Sequence, residues 1–218
     1  MAFAELFFLR ENFNGNAQEG FINTDSAGPL DWHNKDAAIY VKKLISQYGM
    51  PSSVDPSSGG IAIWKKDKLM NTPFDRIEVR DESIPQAYPF PHHAFVYLFV
   101  NYDVAPSKFL EVTSISGSVS YDPLKKQLRA RCGNIEACIA TLALCSQIGE
   151  GHISLNYAQS NELYPQYILG SQDPEQITRL HDLLAYNLKH QQGTPNSSNG
   201  YWPLAVQANM PLPSNLYP

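Results

Sequence analysis

Leu128-Arg129-Ala130-Arg131-Cys132-Gly133-Asn134-Ile135-Glu136-Ala137-Cys138-Ile139-Ala140-Thr141-Leu142-Ala143-Leu144-Cys145-Ser146-Gln147-Ile148 is the stretch whose reading decides the fold class. Leu128 to Arg131 alternates apolar and basic residues, the period of a strand with one buried face. Gly133 and Asn134 make a turn. From Asn134 to Ile148 apolar residues occur all round the helical wheel, so this helix is expected to be enclosed by a sheet and other elements. A strand running into a buried helix predicts an α+β fold.

Upstream, the chain reads as β. Tyr121-Asp122-Pro123-Leu124-Lys125 is a turn that pairs the Leu128 strand with what precedes it, and Phe109 to Tyr121 reads as one long strand with a kink at Gly117. Phe95-Val96-Tyr97-Leu98-Phe99-Val100 is a strand buried on both faces, and Ile77-Glu78-Val79-Arg80 and Ile61 to Trp64 add two more. Pro85, Pro89 and Pro91 predict extended polyproline-like chain over 85–91. Antiparallel hairpins are the expected topology.

Two further helices are expected. One starts at the cap Asn34, carries Ile39, Val41, Leu44, Ile45 and Tyr48, and stops at Gly49 before Pro51; residues 50–60 read as a loop. The other runs from Pro174 to about His190. Asp173 caps it, Gln176 completes a capping box, and Ile177, Leu180, Leu184 and Leu188 form its apolar stripe. Ala2 to Leu9 reads as a strand. The whole is a mostly antiparallel sheet with about three helices, one of them buried, in a single domain over residues 1–190.

Residues 191–218 differ from the rest. They hold no Asp, Glu, Lys or Arg, five prolines, and the apolar residues Tyr201, Trp202, Leu204, Val206, Met210, Leu212, Leu216 and Tyr217. A solvated tail carries charge and few aromatics, whereas the prolines here forbid a regular helix or a central strand. The segment is expected to be an extended arm that docks on an apolar groove, either of its own domain or of a neighbour, with those eight residues as its interaction points.

Composition narrows the function classes. The 218 residues are 43% hydrophobic and only 17% charged, with a net charge of -5. A nucleic-acid binder needs a basic footprint; Lys65-Lys66-Asp67-Lys68 and Lys125-Lys126 are short and read as solvated turns, so no nucleic acid is expected as a partner. No apolar run approaches the ~20 residues of a membrane span. Met1 to Arg10 is interrupted by Glu5 and is not expected to act as a secretory signal. Cys132, Cys138 and Cys145 cannot all pair within the chain, which fits folding in a reducing cytosol.

One residue stands out chemically. Cys132 sits where a strand ends and a helix begins, and a thiol at a helix N-terminus can be acidified by the dipole. With His92, His93 or His152 as base it would be a cysteine nucleophile. No family signature surrounds it, so the expectation is a structural cysteine, with hydrolysis as the alternative. His92-His93 as adjacent strand residues face opposite ways and do not share one metal, and no tetrahedral ligand set is present. Asp81-Glu82 beside Arg76 and Arg80 reads as a surface ion-pair network. No cofactor is expected: the chain lacks the dinucleotide, P-loop, nucleophile-elbow and zinc-protease motifs.

Three blocks together carry a family resemblance: Phe74-Asp75-Arg76-Ile77-Glu78-Val79-Arg80-Asp81-Glu82-Ser83-Ile84-Pro85, Pro89-Phe90-Pro91-His92-His93, and Val119-Ser120-Tyr121-Asp122-Pro123-Leu124-Lys125-Lys126-Gln127-Leu128-Arg129-Ala130-Arg131-Cys132. With Gly59 to Trp64 and Ala140 to Ala143 they resemble a family of uncharacterised proteins of large DNA viruses of algae and other protists, including chlorella viruses. The likeness covers roughly residues 30–155 and brings no active site with it. It implies a minor capsid, or cement, protein of an icosahedral virion, made in the host cytoplasm, with the major capsid protein and other minor capsid proteins as partners. A Cys132-dependent hydrolase and a non-virion assembly scaffold are the alternatives.

Overall fold

A computed structural model describes residues 32–55 and 60–191. It is α+β: one six-stranded antiparallel sheet with six α-helices among the described residues. The elements run α1 (Lys35–Tyr48), β1 (Ser53–Asp55), β2 (Ile61–Lys65), β3 (Arg76–Gln86), β4 (His92–Asn101), α2 (Phe109–Thr113), β5 (Val119–Asp122), β6 (Gln127–Cys132), α3 (Ile135–Gly149), α4 (Leu155–Ser160), α5 (Leu163–Gly170) and α6 (Pro174–Lys189). Strand order is β1-β2-β3-β4-β6-β5. The expected Ala2–Leu9 strand and the arm with Tyr201, Trp202, Leu204, Val206, Met210, Leu212, Leu216 and Tyr217 lie outside the described residues.

The buried helix is where the sequence places it. Asn134 caps α3 by accepting from the Ala137 amide, and thirteen of its residues, from Ile135 to Ile148 except Glu136, are buried. It lies against β4 and β6, and α2, α5 and α6 cover its other sides. β4 is buried on both faces, for two different reasons. Val96, Leu98 and Val100 join the core under α3. On the opposite face, Arg76 stacks 3.9 Å from the Phe99 ring centroid and Arg80 4.0 Å from that of Tyr97, with Glu78 pairing to both guanidinium groups. The sheet thus has an aliphatic face and an arginine–aromatic face, the latter held by cation–π and ionic contact.

Several expectations are corrected. Phe109–Tyr121 is not one strand: Pro106 opens a 3-10 turn, Phe109–Thr113 is helical, and only Val119–Asp122 pairs with β6. The β-branched residues there favour a strand locally, but Val112 is buried against α3, with its carbonyl 3.7 Å from the Cys145 sulfur. Packing overrides propensity. The 50–60 loop contains the edge strand β1, paired with β2. Pro85 lies inside β3, opposite His93, so the first two residues of the 85–91 stretch belong to the sheet and residues 87–91 form the connection to β4. The helix count is six rather than three; α2, α4 and α5 are short, and α5 starts after Glu162 in a left-handed conformation (φ 51°) that no periodicity signals.

In α1, Val41 and Leu44 are buried and Ile45 and Tyr48 pack against the core as expected, but Ile39 is 63% exposed and Ala37 and Tyr40 complete the buried stripe in its place. In α6 the stripe holds as Leu180, Leu183 and Leu184, with Ile177 and Leu188 packed at its margin. Asp173 accepts from the Glu175 and Gln176 amides, but the Gln176 carboxamide lies against Gly170, where an added Cβ would meet its oxygen at 2.5 Å. The Arg76/Arg80 network is also redrawn. Both arginines pair with Glu78, while Asp81 and Glu82 serve elsewhere.

Asp81 and Glu82 sit where the β3–β4 register shifts between Val79 and Ile84. The bulge frees the strand to turn Asp81 toward α1, where its carboxylate accepts from the His33 and Asn34 amides at 2.9 and 2.7 Å. Burial pushes this carboxyl up, but the Asn34 and His33 amides and the His33 ring outweigh it and hold it below the usual carboxylate range. Glu82 accepts from the Tyr97 hydroxyl.

Candidate functional site

Cys132 ends β6 opposite Val96 on β4, and this register decides which histidine reaches it. His92 is the first residue of β4, four positions before Val96, and overhangs the end of β6. Its ring and the Cys132 side chain line the same cleft. His93, one step on, faces the other way and bonds Ser83 Oγ at 2.6 Å through Nδ1. His152 lies past the far end of α3, its amide bonded to the Gln147 carbonyl.

The His92 ring is oriented by the main chain. Nδ1 lies 2.7 Å from the Phe90 carbonyl and donates to it, which leaves Nε2 for the sulfur. A nucleophile, a base and a group that orients the base are therefore in place. The neighbouring Cys138 thiol, ahead of His92, holds Cys132 below the ordinary thiol range against the opposing effect of burial, although the Cys138 sulfur also directs its single proton at the Val96 and Ala130 carbonyls, 3.7 Å away. Thr141 Oγ1 is 3.8 Å away but lies 2.8 Å from the Ala137 carbonyl, and its single proton serves one of the two. His92 is correspondingly raised, first by the Cys132 contact, against a lowering by burial. Burial pushes both the Cys138 and the Cys145 thiols up, so both are held protonated.

The site opens on a cleft with about 50 Å³ of room for water-sized molecules, walled by Phe90, His92, Gly133, Tyr164 and Ile168. Gly133 lets the chain pass close to the neighbouring strand there: a Cβ would meet the His93 carbonyl at 3.0 Å, so a side chain would need that carbonyl to give way. Cys132 itself is only 1% exposed. Tyr164, on α5, is 2% exposed, and its hydroxyl makes no hydrogen bond of good geometry, although Ser116 and Thr141 lie beside it.

Two amides at the start of α3, which would otherwise be free to hold an oxyanion, are occupied. Ile135 N donates to the Tyr40 hydroxyl at 2.7 Å and Ala137 N to Asn134 Oδ1 at 2.7 Å. Among the described residues there is no group of three or more His, Cys, Asp or Glu that could hold a metal. None of the described helices is long and apolar enough to cross a membrane. Comparison with protein-family models, with curated proteins and with solved structures finds no match.

At the other end of the molecule, Gln191 follows α6 and is pinned to the end of β4. Its Nε2 donates to the Asn101 and Leu188 carbonyls at 2.7 and 2.9 Å, and its Oε1 accepts from the Asp103 amide at 2.7 Å.

Proposed function

We propose that the chain is a minor capsid protein of a large icosahedral DNA virus, a folded plug that bridges capsid components through its C-terminal arm. The observation that carries this reading is the fixed start of that arm. Gln191 is tied at three points to the sheet domain, and the residues that follow it contain no charge and eight sizeable apolar side chains. A segment of that composition is costly to leave in water, and burial of Trp202 and Tyr217 in a neighbour's pockets would anchor it. The likeness of residues 30–155 to proteins of large DNA viruses supplies the setting, and the major and other minor capsid proteins are the partners.

A second reading, a cysteine-dependent hydrolase, is favoured by one observation: His92 and Cys132 line the same cleft. Against it stand the size of the cleft and the occupied amides of Ile135 and Ala137. Quantitative mass spectrometry of purified virions separates the readings. A copy number commensurate with the shell supports cement. Trace amounts point to catalysis, and absence from virions but presence in assembly intermediates points to a scaffold.

A further inference from the structure

We propose that Cys132, His92 and Cys138 form a redox site, in which a small hydroperoxide entering the cleft oxidises Cys132 and Cys138 then closes a disulfide with it. The proposal is independent of the capsid reading, since it rests on the β4–β6–α3 geometry alone.

Four observations converge on it. The His92 ring, oriented through Nδ1 by the Phe90 carbonyl, shares the wall of one cleft with Cys132. The cleft above them has about 50 Å³ of room, enough for a molecule of a few heavy atoms such as a small hydroperoxide. The Tyr164 hydroxyl, buried and without a well-formed hydrogen bond, lies in the cleft wall as a donor for an incoming oxygen. Cys138 lies beneath the β4–β6 pair that ends at Cys132: its sulfur is 3.7 Å from the carbonyls of Val96, the residue opposite Cys132, and of Ala130. A thiolate with a second thiol beside it is the arrangement that converts a sulfenic acid into a disulfide.

The chemistry balances. The Cys132 thiolate attacks one peroxide oxygen and the O–O bond breaks. The departing oxygen takes the proton that His92 holds, giving water from hydrogen peroxide, or an alcohol from an organic hydroperoxide. Cys132 is then a sulfenic acid. Cys138 sulfur attacks the Cys132 sulfur, the S–O bond breaks, and the hydroxyl leaves with the Cys138 proton as a second water. Cys145 takes no part, because it faces the Val112 carbonyl on the α2 side of α3.

The charged and titratable groups around the sulfur are His92 on β4, Arg131 on β6, Cys138 and Glu136 on α3, and Tyr164 on α5. Arg131 opposes the charging of His92 and Glu136 opposes ionisation of Cys138. Tyr164 is pushed up by burial and stays protonated.

The test treats the full chain with hydrogen peroxide and reads intact mass and peptide maps after the remaining thiols are blocked. The wild type should lose two hydrogens, mapped to a Cys132–Cys138 link. Cys138→Ala should instead accumulate a sulfenic acid at Cys132 that dimedone traps. His92→Gln should slow Cys132 oxidation by about tenfold or more, as expected when a general base or acid is removed, while its melting curve stays close to the parent's. Because core variants can fold poorly, the wild type alone also decides: its oxidation rate should be sustained well below about 8.5, the pH at which an ordinary thiol half-ionises. The proposal is overturned if Cys132 reacts no faster than Cys145, if the link joins other cysteines, or if the rate follows an ordinary thiol's pH dependence.

Discussion

Gln191 Nε2 donates to the Asn101 carbonyl at 2.7 Å, so the chain that leaves α6 sets out from the end of β4. The same carboxamide also holds the Leu188 carbonyl and the Asp103 amide. Gln191→Ala removes all three contacts from a partly exposed site, and should cost about 1 kcal/mol, the net worth of ordinary hydrogen bonds less what water returns. Thermal or denaturant melting of the variant measures this, and a loss above about 3 kcal/mol would mean that the residue supports more than its own bonds.

Leu142 is fully buried in α3, between the sheet and the outer helices. Leu142→Ala should cost about 2–5 kcal/mol through the cavity left behind. Ala140→Leu, at another fully buried position, should cost about 1–3 kcal/mol by overpacking. Equilibrium unfolding of both variants checks the pair; parent-like stability in both would contradict the central place of α3.

Asp81 gives the protein an acid-side dependence. Its carboxyl is held below its ordinary value in the folded state, so its stabilising effect is complete above the unfolded pKa of about 4 and is lost as pH falls through the lower folded value. Asp81→Asn should therefore melt below the parent near neutral pH, and the gap should shrink as the solution is taken to pH of about 3. Melting curves across that range are the measurement. A gap that stays constant would remove the carboxylate from the explanation.

Glu78 is 5% exposed and bridges Arg76 at 3.0 Å and Arg80 at 2.6 Å. Glu78→Ala leaves two guanidinium groups stacked on Phe99 and Tyr97 without a counter-charge between them. The expected loss is about 1.5–3 kcal/mol, the range for hydrogen bonds to charged groups. Glu78→Gln should recover part of it by keeping a polar bridge. Unfolding in urea compares the two, and a Gln variant as unstable as Ala would show that the charge alone matters.

What the sequence made legible follows from the range of the forces involved. The α3 and α6 helices and β4 are visible because capping residues and apolar periods are local. The helical turn at Phe109–Thr113 is hidden because its cause, Val112 under α3, lies far along the chain. The pair α4 and α5 is short and interrupted by a left-handed Glu162, so neither builds a long period. At the site, Cys132 stands out as a thiol before a helix, but the choice among His92, His93 and His152 depends on the Val96–Cys132 register. Tyr164 and Cys138 gave no local signal of belonging there; both are brought in by tertiary packing.

The reading of the arm as a docking element is tested most directly by deleting residues 199–218. The 28 residues from Gln191 onward can span up to ~90 Å when extended, well beyond the domain that carries them. Thermal melting of the truncated chain alone, paired with its incorporation into capsid assemblies beside the full chain, is the measurement. The account predicts an unchanged melting temperature and lost incorporation. A truncated domain that melts much lower by itself, or that incorporates as well as the full chain, would contradict it.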